Sequence, residues 1–422
     1  MLQHISKDSI KKRILLLTSG TFIAQCINIG LTPLITRIYK PEEYGIISVF
    51  TSVLLLFTIL GTLNYELAIP ISANDRESYN IIILSIIILS FTSLLIVIAL
   101  FFWGDVFLML LQAEKIIRYK YMIPLGVFMI GFYSVLTQWS LRKKLIYDLS
   151  RTKITQAFFQ NVITIILGVL KFGSIGLIIG RIVGQGSGIL RLSKSLFMKK
   201  VEFKKSIKAS SIKEVMKKYI NFPLYTTPRR IIGDLTLALP TLAFTHMYGL
   251  KYVGYFALAN SIVQLPVTII GTSIEQVFFS EVASLKKNNS SKILALSNKF
   301  VLVLLLLGLC PLVVSVIWSE DIFEFIFGLK WIEAGKIASI ISFSIYFKFV
   351  FTPISGIFDI FQKQKIALVL HSLRLFSIVV IFFVSYKLEY SIYTTLTLYS
   401  ITLSILYFIQ YFSAKNIMKK YT

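Results

Sequence analysis

The residues of this sequence best placed to do chemistry are charged side chains set inside stretches that are otherwise apolar. Arg229 and Arg230 open "TTPRRIIGDLTLALPTLAF" with Asp234 one turn on, Arg181 falls within "GLIIGRIVGQGSG", and Lys348 and Arg374 lie in "SFSIYFKFVF" and "LHSLRLFSIV". Guanidinium and ammonium groups in such places are suited to holding an anion. The planar fork of arginine pairs phosphate oxygens two at a time and keeps its charge at any accessible pH. Four acids, Glu66, Asp234, Glu275 and Asp359, occur in or beside the same stretches and suit coupling or gating. The pattern offers little for covalent chemistry. His4, His246 and His371 are widely separated, no metal-ligand spacing occurs, and no G-x-x-x-x-G-K-[ST] loop is present. The reading is of a non-enzyme with no catalytic residue, metal or cofactor.

The elements that must position these charges cross a membrane. The chain is 56% hydrophobic with mean hydropathy +0.77, and runs such as "IIILSIIILSFTSLLIVIALFFW" carry no charge over the length a bilayer-spanning helix needs. A barrel would alternate polar and apolar residues instead. The expected fold is an all-α membrane protein. Its apolar windows centre on residues 14–36, 46–70, 80–103, 122–141, 154–170 and 174–192, then on 220–247, 252–279, 294–318, 337–361, 366–386 and 390–412, about twelve transmembrane helices. The domains expected are a six-helix bundle over 1–192, a basic cytoplasmic linker over 193–218 and a second six-helix bundle over 219–422. The N-terminal "MLQHISKDSIKKRILLLTSGTFIAQCINIG" reads as a retained first span.

Forty-four Lys and Arg against twenty Asp and Glu would suggest nucleic acid in a soluble protein. Here the basic residues gather in short connections, so membrane orientation explains them and no nucleic-acid partner is expected. With both termini cytoplasmic, the loops on that side carry roughly 28 Lys and Arg and the opposite loops roughly 9. The inner loops then include "RKKLIYDLSRTK", "KKNNSSK" and the central "RLSKSLFMKKVEFKKSIKASSIKEVMKK", which would lie against anionic headgroups at about 1 kcal/mol per basic residue. The outer "GDVFLMLLQAEKIIRYKY", with Lys115, Arg118 and Lys120, is expected to contain a short interfacial helix. Cys26, Cys310 and His246 read as packing residues, with no disulfide.

The halves are related to each other. A shift of 209 positions without gaps superposes Thr36 on Thr245, Tyr39 on Tyr248, Gly45 on Gly254, Ser52 on Ser261 and Glu66 on Glu275. A parallel repeat of six helices is the natural reading, and such repeats build transporters with the substrate site between halves. Pro41 followed by Glu42 and Glu43 marks the start of the second span, proline fitting a first helical turn and the acids its positive end.

Two segments carry a resemblance: "PLITRIYKPEEYGIISVFTSV" and, at residues 253–285, "VGYFALANSIVQLPVTIIGTSIEQVFFSEVASL". With these the chain resembles the Wzx-type polysaccharide and O-antigen flippases of the multidrug/oligosaccharidyl-lipid/polysaccharide exporter superfamily. The resemblance implies a V-shaped pair of bundles around a cationic central cavity. It implies transport of an undecaprenyl-diphosphate-linked oligosaccharide, of the lipopolysaccharide O-antigen, capsule or similar kind, across the bacterial inner (plasma) membrane. Partners would be that polyprenyl-diphosphate oligosaccharide, membrane lipids and the polysaccharide polymerase machinery. Two other readings stay open: a cation-coupled multidrug exporter of the same superfamily, and a non-transporting scaffold of polysaccharide assembly.

Depth separates the candidates. Arg229 and Arg230 precede the turn at Gly249 by enough residues to lie about 25 to 30 Å from it on a straight helix, near the cytoplasmic rim. Pro223 and Pro228 can break that helix and open its end to a wet cleft. Asp234 stands at i+4 from Arg230, on the same face and able to pair with it. Arg181 falls midway along the sixth span, either lining the cavity or tied to backbone carbonyls. Lys348 and Arg374 are the deeper candidates in the second half, with Asp359 the nearest acid along the chain should they be structural ion-pair partners. If the paired arginines load an anionic headgroup, Arg229→Ala/Arg230→Ala slows outward exposure of a fluorescent polyprenyl-diphosphate sugar by reconstituted protein. Unchanged transport would remove them from the site.

Overall fold

The computed structural model describes residues 7–110, 114–197, 208–284, 290–361 and 363–420. Among them there is no strand, and the elements are helices joined by short turns. The chain divides into two compact units, Met1–Asp234 and Leu235–Thr422.

The first unit holds α1 (Lys7–Ile38), α2 (Pro41–Gly61), α3 (Asp75–Phe102), α4 (Gly104–Leu110), α5 (Met122–Arg142), α6 (Ile146–Val169), α7 (Ser174–Ser187), α8 (Ile189–Phe197) and α9 (Ala209–Lys218). Local chemistry sets the starts. Pro41 occupies the first turn of α2, and the Glu43 carboxylate accepts from the Lys40 amide at 2.7 Å. Asn74 caps α3, its Oδ1 accepting from the Glu77 amide at 2.9 Å. The glycines of α7 let it approach α6 closely: a Cβ on Gly180 would stand 2.1 Å from Thr164 Oγ1. Tyr79 and Trp139 sit in the core with Leu192, Leu196 and Val215, so residues on both sides of 198–207 pack into this unit. Lys218 bonds Glu77 at 2.5 Å, and that carboxylate raises the ammonium above the ordinary lysine value.

The connection "RKKLIYDLSRTK" is shorter than its charge suggests. Only Lys143–Leu145 turns; residues from Ile146 onward already belong to α6, where Asp148 takes Arg191 Nε at 2.8 Å. The segment over residues 104–121 is helical at Gly104–Leu110 and Glu114–Tyr119, and Lys120 closes it on Asp105 at 2.6 Å. Most of "KKNNSSK" and the middle of the central basic segment lie outside the described residues.

A π-helical turn, Phe222–Thr226, accommodates Pro223 without ending the helix, and Pro228 sits in the first turn of α10 (Thr227–Val263). Gly249, at φ 80° and ψ 172°, divides α10 into two arms. A second π-turn, Val267–Gly271, follows Pro266 and leads into α11 (Thr272–Ser284) across a bend of 44°. Then come α12 (Ser290–Ile317), α13 (Ser319–Phe327), α14 (Ile332–Phe351), α15 (Gln364–Lys387) and α16 (Ile392–Lys420).

Nine helices among the described residues are long and apolar enough to cross a membrane, and ten when the bent pair counts as one span. Adding α6, whose charged first turns lower its hydropathy, and dividing α10 at Gly249 gives the twelve crossings of two six-helix repeats. The repeat is visible in side chains as well. Gly249 stands where the 209-residue shift places Lys40, the residue between α1 and α2. Tyr39 donates to Thr164 O at 2.8 Å, and its counterpart Tyr248 donates to Tyr390 O at 2.8 Å. Thr36 and Thr245 are both buried.

Cys26, Cys310 and His246 depart from the packing role expected of them, since all three are exposed. An exposed helix face in a bilayer is itself an apolar environment, so a thiol there needs no protein partner. His246 rests its ring 5.3 Å from that of Tyr386. Gly249→Ala forces a side chain into a left-handed φ and lowers the apparent melting temperature in detergent, at a cost of about 1 to 2 kcal/mol. Gly30→Ala, on a helix with open space around it, leaves that temperature unchanged or raises it.

Candidate anion-binding site

The second unit places two of the sequence's five basic candidates in one cavity. The site starts at Asn260 and Gln264, amides at i and i+4 on one face of a largely apolar arm. Pro266 removes a helical donor just beyond them, and the chain bends there. Gln264 Nε2 donates to Asn260 Oδ1 at 2.8 Å, leaving Gln264 Oε1 to accept from Lys348 Nζ of α14, also at 2.8 Å. From α15, Arg374 gives Nη2 to Gln410 Oε1 of α16 at 2.8 Å, and its guanidinium lies 4.5 Å from the Tyr407 ring centroid.

Asn260, Gln264, Lys348, Arg374 and Tyr407 line a cavity of about 190 Å³ whose wall also includes Thr236, Ser344 and Tyr399. Among the described residues no carboxylate lines it. Both cations are therefore held by neutral amide oxygens, which satisfy donors without cancelling charge. Arg374 Nε is in addition buried with no hydrogen-bond acceptor among the described residues. Such an arrangement is costly in apolar surroundings and is suited to receive an anion of up to two charges.

The other candidates stand elsewhere. Asp359 is exposed in the short turn Ile357–Ile360, and Glu275 is half-buried in α11; neither lines the cavity. In the first unit, Arg181 is half-buried in α7 with its Nε buried and lacking an acceptor among the described residues. Glu66 is buried, accepting from Thr62 Oγ1 at 2.5 Å and Ser134 Oγ at 3.4 Å. Arg229 is exposed. Arg230 donates to Asn64 Oδ1, and its charge also acts on the Asp234 carboxylate one turn on. Asn64 also donates to Thr227 Oγ1 at 2.8 Å, which fastens the end of the second span to the start of the seventh.

Sequence reasoning passed over Gln264, Asn260, Gln410 and Tyr407. A signal existed for the first two: a pair of amides one turn apart, two residues before a proline, in a predominantly apolar span.

The fold is that of the polytopic transporters of the MOP superfamily. The chain superposes on an inward-facing multidrug-resistance MATE transporter of that superfamily with TM-score 0.74 and 14% identity, covering 95% of this chain and 98% of that one. It superposes on the lipid II flippase MurJ, in an inward closed conformation, with TM-score 0.74 and 16% identity, covering 96% and 90%. A MOP transporter from Pyrococcus furiosus Vc1 (DSM3638), described as having a binding pocket of reverse polarity that suggests a different function, matches with TM-score 0.58 and 13% identity over 97% and 96%. No curated protein matches the chain by sequence. The family described as "Polysaccharide biosynthesis protein" matches residues 34–336, and the chain belongs to that family.

The amide network makes a test possible. Gln264→Leu removes the acceptor from Lys348 and lowers the apparent melting temperature, a loss of about 1 to 3 kcal/mol for an unsatisfied buried donor. Gln264→Glu supplies a counter-charge, restores the melting temperature, and abolishes pyrophosphate binding measured by calorimetry.

Proposed function

We propose that the protein is a flippase that carries an undecaprenyl-diphosphate-linked oligosaccharide from the cytoplasmic to the outer leaflet of a bacterial plasma membrane by alternating access. The observation that carries this reading is the pair Lys348 and Arg374 facing one cavity with no carboxylate among its described wall residues. A diphosphate supplies about two negative charges, matching the two cations, and arginine pairs its oxygens bidentately. Membership of a polysaccharide biosynthesis family and a fold shared with a lipid II flippase support a glycan-bearing lipid as the class of cargo. A cation-exporting mechanism fits less well, because a cationic drug would meet like charge in this cavity.

Arg229 and Arg230, exposed at the start of α10, are proposed to load the headgroup, and Arg181 to line its path in the first unit. Glu66, Asp234, Glu275 and Asp359 remain the proposed gating or coupling acids. With both termini cytoplasmic, outward movement of the anion runs down an inside-negative potential, worth roughly 2.3 kcal/mol per charge per 100 mV. The potential alone would then drive export.

In vesicles given a fluorescent polyprenyl-diphosphate sugar, Lys348→Gln and Arg374→Gln each slow outward exposure by about tenfold to a hundredfold, the effect of losing a charge-assisted contact. Lys348→Arg keeps the charge and retains most of the rate. Full activity in both glutamine variants would overturn the assignment.

A further inference from the structure

A second hollow, of about 300 Å³, lies in the same unit between the bend at Pro266, α12, α13 and α14. Its wall is hydrocarbon: Ile262, Val263 and Leu265 beside the bend, Leu312 from α12, Phe323 from α13 and Phe349 from α14. Ser319, Ser342 and Tyr346 line it too, but each hydroxyl already donates to a backbone carbonyl, of Gly335 at 2.8 Å, Ser339 at 2.6 Å and Leu305 at 3.2 Å. Those three donors are committed to the protein, which leaves the Ser315 hydroxyl of α12 as the one further polar side-chain group among the described lining residues. A wall of this kind excludes water and favours a hydrocarbon.

The hollow and the cationic cavity are neighbours in the chain and in space. Ile345 of α14 lines both. Along the eighth span Asn260 and Gln264 face the cavity, while Ile262, Val263 and Leu265 face the hollow, so the bend turns its polar side one way and its apolar side the other. The α12 wall belongs to a helix whose Leu302, Leu306 and Leu307 are exposed, the face a lipid-crossing helix turns to the bilayer. A molecule with an anionic head and a hydrocarbon chain matches both chambers at once.

We infer that this hollow seats the first part of the hydrocarbon chain of the same prenyl diphosphate lipid whose headgroup Lys348 and Arg374 hold. The inference rests on the proposed headgroup site. It assigns the chain a protein-bound position instead of leaving it wholly in bulk lipid, and makes recognition bipartite, with Ile345 as the partition.

The test uses the full chain in phosphatidylcholine nanodiscs with two photoprobes, a farnesyl diphosphate carrying a diazirine in its chain and a phosphatidylcholine carrying one in an acyl tail. Expected is labelling of residues 262–267 and 308–315 by the prenyl probe, displaced by unlabelled farnesyl diphosphate. Ser315→Phe, which fills the hollow, weakens farnesyl diphosphate binding by about tenfold and leaves inorganic pyrophosphate binding unchanged. Labelling of these segments by the phosphatidylcholine probe alone, undiminished by farnesyl diphosphate, would make the hollow a bulk-lipid site and overturn the inference. Failure of pyrophosphate to bind the unmutated protein would instead overturn the headgroup reading. Should Ser315→Phe lose pyrophosphate binding as well, it has misfolded, and the labelling of the unmutated chain decides.

Discussion

Positive charge held by neutral amides is the constraint on which the second unit turns. Lys348 rests on Gln264 and Arg374 on Gln410, each at 2.8 Å. An amide oxygen removes the worst of the desolvation penalty but leaves the net charge in place. The same chain treats other cations differently. Lys120 meets Asp105 at 2.6 Å, and Arg142 and Lys143 converge on Asp75. Carboxylates are thus used where a charge is to be neutralised, and amides where it is to remain available.

That choice ties the site to the backbone of the eighth span. Gln264 belongs to the helical arm and Pro266 to its break, two residues apart. The π-turn at Val267–Gly271 restores hydrogen bonding after the proline and sets the direction of α11. Because Asn260 fixes the Gln264 amide, the position of its oxygen follows the arm rather than the flexibility of the side chain. Any change in the 44° bend therefore shifts α11 relative to the group that holds Lys348.

Much of the fold was legible because its signals are local. Uncharged runs mark most of the spans, and Pro41 with Glu42 and Glu43 marks the start of α2, where the structure places the proline in the first turn and adds the Glu43 contact to the Lys40 amide. Tyr39 and Tyr248 were visible as a repeat and serve matching purposes in two turns. The start of α6 was not legible, since a helix that puts Asp148 against Arg191 has the composition of a loop. Nor was the convergence of Lys348 with Arg374, which depends on the rotation of two separate helices. Arg230 illustrates the same limit: spacing offered Asp234, which its charge does act on, but not Asn64, remote in sequence and held in a left-handed turn at φ 61°, which takes its hydrogen bond.

The arginines of the two units share one further property. Arg181 Nε and Arg374 Nε are both buried with no acceptor among the described residues. Buried donors are satisfied in the great majority of cases, so two exceptions on guanidinium groups in membrane-crossing helices call for a physical reason. Lysine in either place could rotate its ammonium toward any carbonyl in reach, whereas the rigid fork of arginine commits all five donors to one plane. A site that must keep a donor directed at a fixed point, and keep it charged, is served by arginine even when the protein leaves that donor unbonded. At Arg374 the plane is further fixed by Tyr407 on one face and Gln410 at its end, so the free edge is a property of the packing and not of a mobile side chain.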